Sequence, residues 1–197
     1  MNNSHKNIIK FIFTVPSHAS FIPAILFCIE KKLLIELSIL IPLVISSSMY
    51  HSFDSYDYKH TLFLHKIDNV FAIQSIITIL LYLLNLCSEQ KIFITISSII
   101  FVLIYQTKDP WDIFNTLVPV IHMLAIMLYY YIFFGISFIT TYCYQLLGLL
   151  ICSVLCLYKG LDDSDFKGLR LWHSGWHICT GLLCYYTLLS NPEISPH

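Results

Sequence analysis

The feature that most constrains this chain is a succession of apolar runs, each near the length of a bilayer crossing, punctuated by short clusters of charged and turn residues. A bilayer core about 30 Å thick takes about 20 residues of helix to span. Inside it every backbone N–H and C=O must find its partner within the protein, which helices do along their own length. The runs predict seven helices, at 8–29, 33–51, 67–87, 92–106, 114–134, 136–158 and 169–189. The expected architecture is therefore all-α: a polytopic membrane protein, a seven-transmembrane-helix bundle forming one domain over residues 1–197.

The punctuation carries information of its own. Pro16 and Pro23 fall inside the first run, where neighbouring groups can satisfy the carbonyls they free. Glu30, Lys31 and Lys32 read as a tight turn, and Lys108-Asp109-Pro110 ends the fourth run. Only Gly135 separates the fifth from the sixth. Lys6 and Lys10 ahead of an apolar stretch, with Ser17-His18-Ala19 after it, resemble a cleaved leader. The apolar residues run on through Phe21–Ile29, and a first spanning helix is the expectation.

Charge excludes some functions. Charged residues make up 12% of the chain, against about a quarter in soluble domains, so most of it lacks an aqueous surface. A net charge of −1 leaves no footprint for nucleic acid. The seven cysteines are odd in number and mostly sit in apolar runs, which reads as core packing rather than a disulfide framework.

Ionisable residues within membrane helices are costly and point to function. Lys31, Lys32, Lys91 and Lys108 lie at helix ends, where they snorkel to the interface. Five other residues stand out. Ser47 and His51 lie at the exit of the second helix, Asp68 at the entry of the third, and His173 and His177 in the first turns of the seventh. Even-numbered helices end, and odd-numbered ones start, on the side of the N-terminus. The count of crossings thus puts all five at one membrane face.

Residues four apart share a helix face, about 6 Å along the axis. His173 and His177 present two imidazoles to one point, and Ser47 and His51 form a second pair of that spacing. Three imidazoles with an open fourth position make a catalytic zinc site, which lowers the pKa of water towards 7. A carboxylate such as Asp68 then moves the proton, and a hydroxyl such as Ser47 stabilises an oxyanion. His60 and His65 compete with His51 for the third ligand position, and histidines bonded to headgroups or backbone carbonyls are the plainer alternative. His122 reads as a satisfied core histidine, and His18, near Pro16, as a cap on opened backbone. Asp162, Asp163 and Asp165 read as a solvated loop, since EF-hand spacing is missing.

Ser47-x-x-x-His51, Asp68 and His173-x-x-x-His177 resemble the signature of the seven-helix hydrolase superfamily. That superfamily contains alkaline ceramidases, adiponectin and progestin receptors, and GPI-remodelling lipases. Ser20-Phe21-Ile22-Pro23, Met49-Tyr50-His51-Ser52-Phe53-Asp54, Lys108-Asp109-Pro110-Trp111 and His173-Ser174-Gly175-Trp176-His177 are similar to the myomaker-like family, with its GPI-phospholipase-like membrane domains. The resemblance implies zinc on His51, His173 and His177, with Asp68 and Ser47 lining it. It also implies a lipid substrate or ligand. The tail Asn191–His197 lacks the cysteines that carry lipid in vertebrate members, which speaks against a muscle-type fusogen.

The expected function is a zinc-dependent integral-membrane hydrolase acting on a lipid amide or ester, ceramidase- or phospholipase-like. The alternative is a non-catalytic fusion or remodelling factor, or a lipid receptor, with structural zinc. A channel would need ionisable groups across the membrane, and Gln74, Asn85, His122, Gln145 and Thr180 do not supply such a chain. For orientation two rules disagree. Eight of the 11 basic residues lie on the N-terminal side, which the positive-inside rule assigns to the cytosol. The likeness to the myomaker-like family puts that side outside, whereas adiponectin-type receptors have it inside.

Overall fold

The computed structural model describes residues 3–56, 61–84, 86–107, 112–134, 142–161 and 169–190, and among them every regular element is helical. The first run is a broken rod: α1 (Asn3–Ser17), a 3-10 turn (His18–Phe21) and α2 (Ile22–Glu30). There follow α3 (Leu34–Ser55), α4 (Thr61–Tyr82), α5 (Ser88–Gln106), α6 (Ile113–Phe134), α7 (Cys143–Gly160) and α8 (Leu171–Leu189). His60, the Lys108–Trp111 motif, Gly135, the acidic Asp162–Asp165 loop, Asn85 and the tail Asn191–His197 lie outside the described residues.

Five of these stretches are long and apolar enough to cross a membrane: Asn7–Glu30, Leu34–Ser55, Thr61–Tyr82, Ser88–Gln106 and Cys143–Gly160. They mark the chain as a membrane protein. The apolar part of α6 is shorter, Phe114–Ile126. α8 stays outside this class because His173, Ser174, His177 and Thr180 dilute its apolar residues. The outward faces agree with lipid as the solvent: Phe93, Ile96, Ile100 and Ile104 on α5 and Leu147, Ile151, Leu155 and Tyr158 on α7 are all exposed. Patches of that size are not sustained in water.

Local chemistry explains the breaks. Pro16 has no N–H to donate, and past it the chain tightens into the 3-10 turn, while Pro23 sits in the first turn of α2, where no donor is missed. The Glu30-Lys31-Lys32 turn closes as a Schellman motif. Lys32 adopts φ 56°, the Leu33 N–H reaches Cys28 O at 2.9 Å, and the Lys32 N–H reaches Ile29 O at 3.3 Å. α4 starts at Thr61 rather than Ile67, which brings His65 and Lys66 into its second turn. His65 and Lys66 interrupt the apolar residues there and hid that start from a reading of apolar runs.

Two apolar clusters hold the bundle. One joins Phe21, Ala24, Phe27 and Cys28 to Leu40, Leu43, Ile79, Tyr82, Cys184 and Leu188, and the Tyr82 hydroxyl donates to Leu188 O at 3.2 Å. The other joins Val70, Ile73, Ile77 and Leu81 of α4 to Val102 of α5 and Met123 of α6. Polar links between helices accompany the second: Ser98 donates to Gln74 Oε1 (2.9 Å), Asn69 to Gln106 Oε1 (3.0 Å) and Gln106 to Asn115 O (3.0 Å). His122 is not in the core as expected. α6 turns Met123 inward, which leaves His122 exposed with its ring 5.1 Å from Phe101.

α8 is braced at two points where no side chain fits. A Cβ on Gly181 would lie 2.7 Å from the carbonyl carbon of Ser20, and the Ser20 hydroxyl donates to His177 O at 2.9 Å. A Cβ on Gly160, at the end of α7, would lie 2.7 Å from the His173 nitrogen. Small residues let membrane helices approach this closely. Each brace meets α8 at one histidine of its pair.

Candidate metal centre

Four buried or half-buried histidines meet at one end of the bundle. His51 comes from the last turns of α3, His173 and His177 from the first turns of α8, and His18 from the 3-10 turn. The four-residue spacing on α8 delivers both of its rings to His51. His173 Nε2 and His177 Nε2 each lie 3.2 Å from His51 Nε2, with ring centroids 4.8 and 5.2 Å away. Ser47, one turn before His51, is fully buried, and its hydroxyl is 2.7 Å from His18 Nε2. Asp68 is buried beside Ser47, with Oδ2 3.9 Å from His51 Nε2. The five residues expected to share a face do come together, and His18 joins them.

Two groupings of the histidines compete. The ligand atoms of His18, His51 and His177 all lie within 4.8 Å of one another. The two shortest nitrogen–nitrogen approaches instead link His173 and His177 to His51. Tetrahedral zinc with Zn–N distances near 2.05 Å requires a nitrogen–nitrogen edge of about 3.3 Å. The set His51, His173 and His177 has two edges of that length, and we take it as the better fit.

Hydrogen bonding alone does not account for the arrangement. His51 Nε2 faces two other ring nitrogens, and one nitrogen carries at most one proton. The buried His51 Nδ1 and Asp68 Oδ1 have no hydrogen-bond partner among the described residues. At 3.9 Å, the gap from Asp68 to His51 is too long for a hydrogen bond. A small cation shared by the three imidazoles would relieve the crowding at His51 Nε2, and a water towards Asp68 would partner the carboxylate, while neither reaches His51 Nδ1. The donor set is all imidazole nitrogen, which suits zinc, copper, iron or nickel.

One turn further out lies a charged clasp. Asp54, three residues after His51, takes Lys10 Nζ at 2.9 Å and Arg170 Nη1 at 3.8 Å. Arg170 stands three residues before His173, as the N-cap of α8 in the left-handed region at φ 53°. A non-glycine residue pays about 1–2 kcal/mol for that conformation. Here Arg170 O accepts from the Ser174 N–H and from the Ser174 hydroxyl, both at 2.9 Å. The clasp ties α1, α3 and α8 over the site.

His65, one of the competitors for the third ligand, sits on α4 with its ring stacked on Tyr50 at 4.7 Å. His60 lies outside the described residues. The reading of the sequence missed His18 as a member of the site, and missed Lys10 and Arg170 as its frame. Pro16 was the available signal for His18, whose Nδ1 does take Val15 O at 2.9 Å beside the opened backbone. No signal of spacing marks the clasp, since its members lie 44 and 116 residues from Asp54.

A search of curated proteins finds no match to this chain. Residues 6–178, which include His18, Ser47, His51, Asp68, His173 and His177, match the family described as "Protein of unknown function (DUF3522)", and the chain belongs to that family.

Proposed function

We propose that the chain is a zinc-dependent integral-membrane hydrolase, crossing the bilayer seven times and acting on a lipid amide or ester. The observation that carries this reading is the pair of 3.2 Å nitrogen approaches at His51, with the unpartnered Asp68 Oδ1 beside them. His51, His173 and His177 would hold zinc, which supplies a Lewis acid and a source of hydroxide at neutral pH. Asp68 holds the proton of the attacking water and returns it to the leaving amine or alkoxide. The polar cluster lies among helices whose outer faces are apolar, so the substrate reaches it from the bilayer.

Metal analysis and turnover test this together. Purified protein should carry one zinc per chain and hydrolyse a member of a ceramide, phospholipid and GPI panel. Asp68→Asn should keep the metal and lose turnover by about 100-fold or more. A fully zinc-loaded protein that turns over none of the panel would remove the reading. A second reading is a non-catalytic, myomaker-like membrane-remodelling factor or lipid receptor in which zinc ties α3 to α8. The observation favouring it is His18, a fourth imidazole close enough to close the coordination sphere. In that case Asp68→Asn is tolerated in complementation, while His51→Ala is not.

A further inference from the structure

His18 decides between an open and a closed metal centre, and its bonding is specific. Its ring is 2 % exposed and both nitrogens are engaged, Nδ1 with Val15 O at 2.9 Å and Nε2 with Ser47 Oγ at 2.7 Å. A carbonyl oxygen only accepts, so Nδ1 carries the proton and donates to Val15. In the neutral ring Nε2 is then an acceptor, and the Ser47 hydroxyl donates to it. This tautomer is assigned from the partners on either side. The ring packs on that of His177 in a tilted contact, with centroids 4.1 Å apart and planes inclined by 42°. Contact of that kind restrains His177 without competing for what its Nε2 binds.

Ser47 has one proton, and His18 holds it. The oxygen therefore has only lone pairs to offer the site. That changes the role expected for Ser47, from oxyanion donor to acceptor.

We propose that His18 stands outside the metal's coordination sphere and is a positioning residue for Ser47, fixing that hydroxyl as a hydrogen-bond acceptor towards the site. The proposal rests on the reading of His51, His173 and His177 as the metal's ligands. It requires the break in the first rod. Pro16 and the 3-10 turn after it place His18 Nδ1 against Val15 O, and that contact sets the direction of every hydrogen bond that follows.

The test counts ligands first. X-ray absorption at the zinc edge of the full-length wild-type protein should find three imidazoles. His18→Ala should keep one zinc per chain with the count unchanged, whereas His177→Ala, the ligand control, should lose it. Turnover in His18→Ala should fall about 10- to 100-fold, as for other groups that orient a site without ligating it. His18→Gln, whose amide oxygen accepts from Ser47, should recover part of that loss. Ser47→Ala should match His18→Ala, and the double variant should be no worse than either single one.

Four imidazoles in wild type, or loss of zinc in both His18 variants, would overturn the proposal. So would losses in His18→Ala and Ser47→Ala that multiply in the double variant. If wild type holds no zinc, the hydrolase reading fails by itself. The His18–Ser47 link is then read from thermal midpoints of the same four proteins, where midpoint shifts that add independently would sink it.

Discussion

The helices of this protein divide into an inner and an outer set, and they obey different rules. Half of the apolar window on α4 is buried and 44% of that on α3, against 17% on α5 and 11% on α7. The inner set, with the 3-10 turn and α8, holds every member of the candidate site. The outer set shows lipid a surface of Phe, Ile, Leu and Tyr. In water that surface would be the expensive one. In lipid an apolar face is already in its preferred solvent, and the demand for close fitting falls on polar groups that must be matched inside the protein.

The largest expected effect comes from removing an inner ligand. His51→Ala or His177→Ala should abolish zinc binding, measured as metal per chain. Chelation should lower the thermal midpoint of wild type and leave that of His177→Ala where it is. Gly181→Ala should come next, costing about 1–3 kcal/mol through overpacking against Ser20. Denaturation in detergent measures it, and a cost below a few tenths would mean that the brace is soft. Asp54→Asn, which releases Lys10 and Arg170 together, should cost about 1–2 kcal/mol, the part-exposed Lys10 end being screened. The smallest effect is expected on the outer set. Leu155→Ala, on a residue 55% exposed, should stay within about 0.5 kcal/mol of wild type. A large loss there would place α7 against a partner and break the division.

The inner set was also where the sequence was hardest to read. Among the described residues, apolar length located the five stretches long enough to cross a membrane, because each needs a run of its own. A spacing of four exposed the His173–His177 pair, since that is a property of a single helix. The Lys32 turn was legible because charge interrupts apolar residues there. His18 was not legible as part of the site. It belongs only because a broken helix turns its ring towards Ser47, a residue 29 positions away. The Asp54 clasp was hidden for the same reason, for it depends on which helices are neighbours. The early start of α4 was masked by His65 and Lys66, which interrupt its apolar residues ahead of Ile67.

α8 is among the less apolar of the long helices, yet it carries two of the three proposed ligands and packs most closely on α7, then on the 3-10 turn, α1, α2 and α4. Such a helix is a poor candidate to enter a bilayer alone. Its polar face is accommodated once the earlier helices have built the cavity that receives it. The order of synthesis therefore matters: α1 to α4 emerge from the ribosome first and hold His18, Ser47, His51 and Asp68 ready. Until α8 arrives, His51 lacks the two imidazoles that face its Nε2. A nascent chain stalled before residue 171 should be held by insertion chaperones, and delivery of α8 should release it.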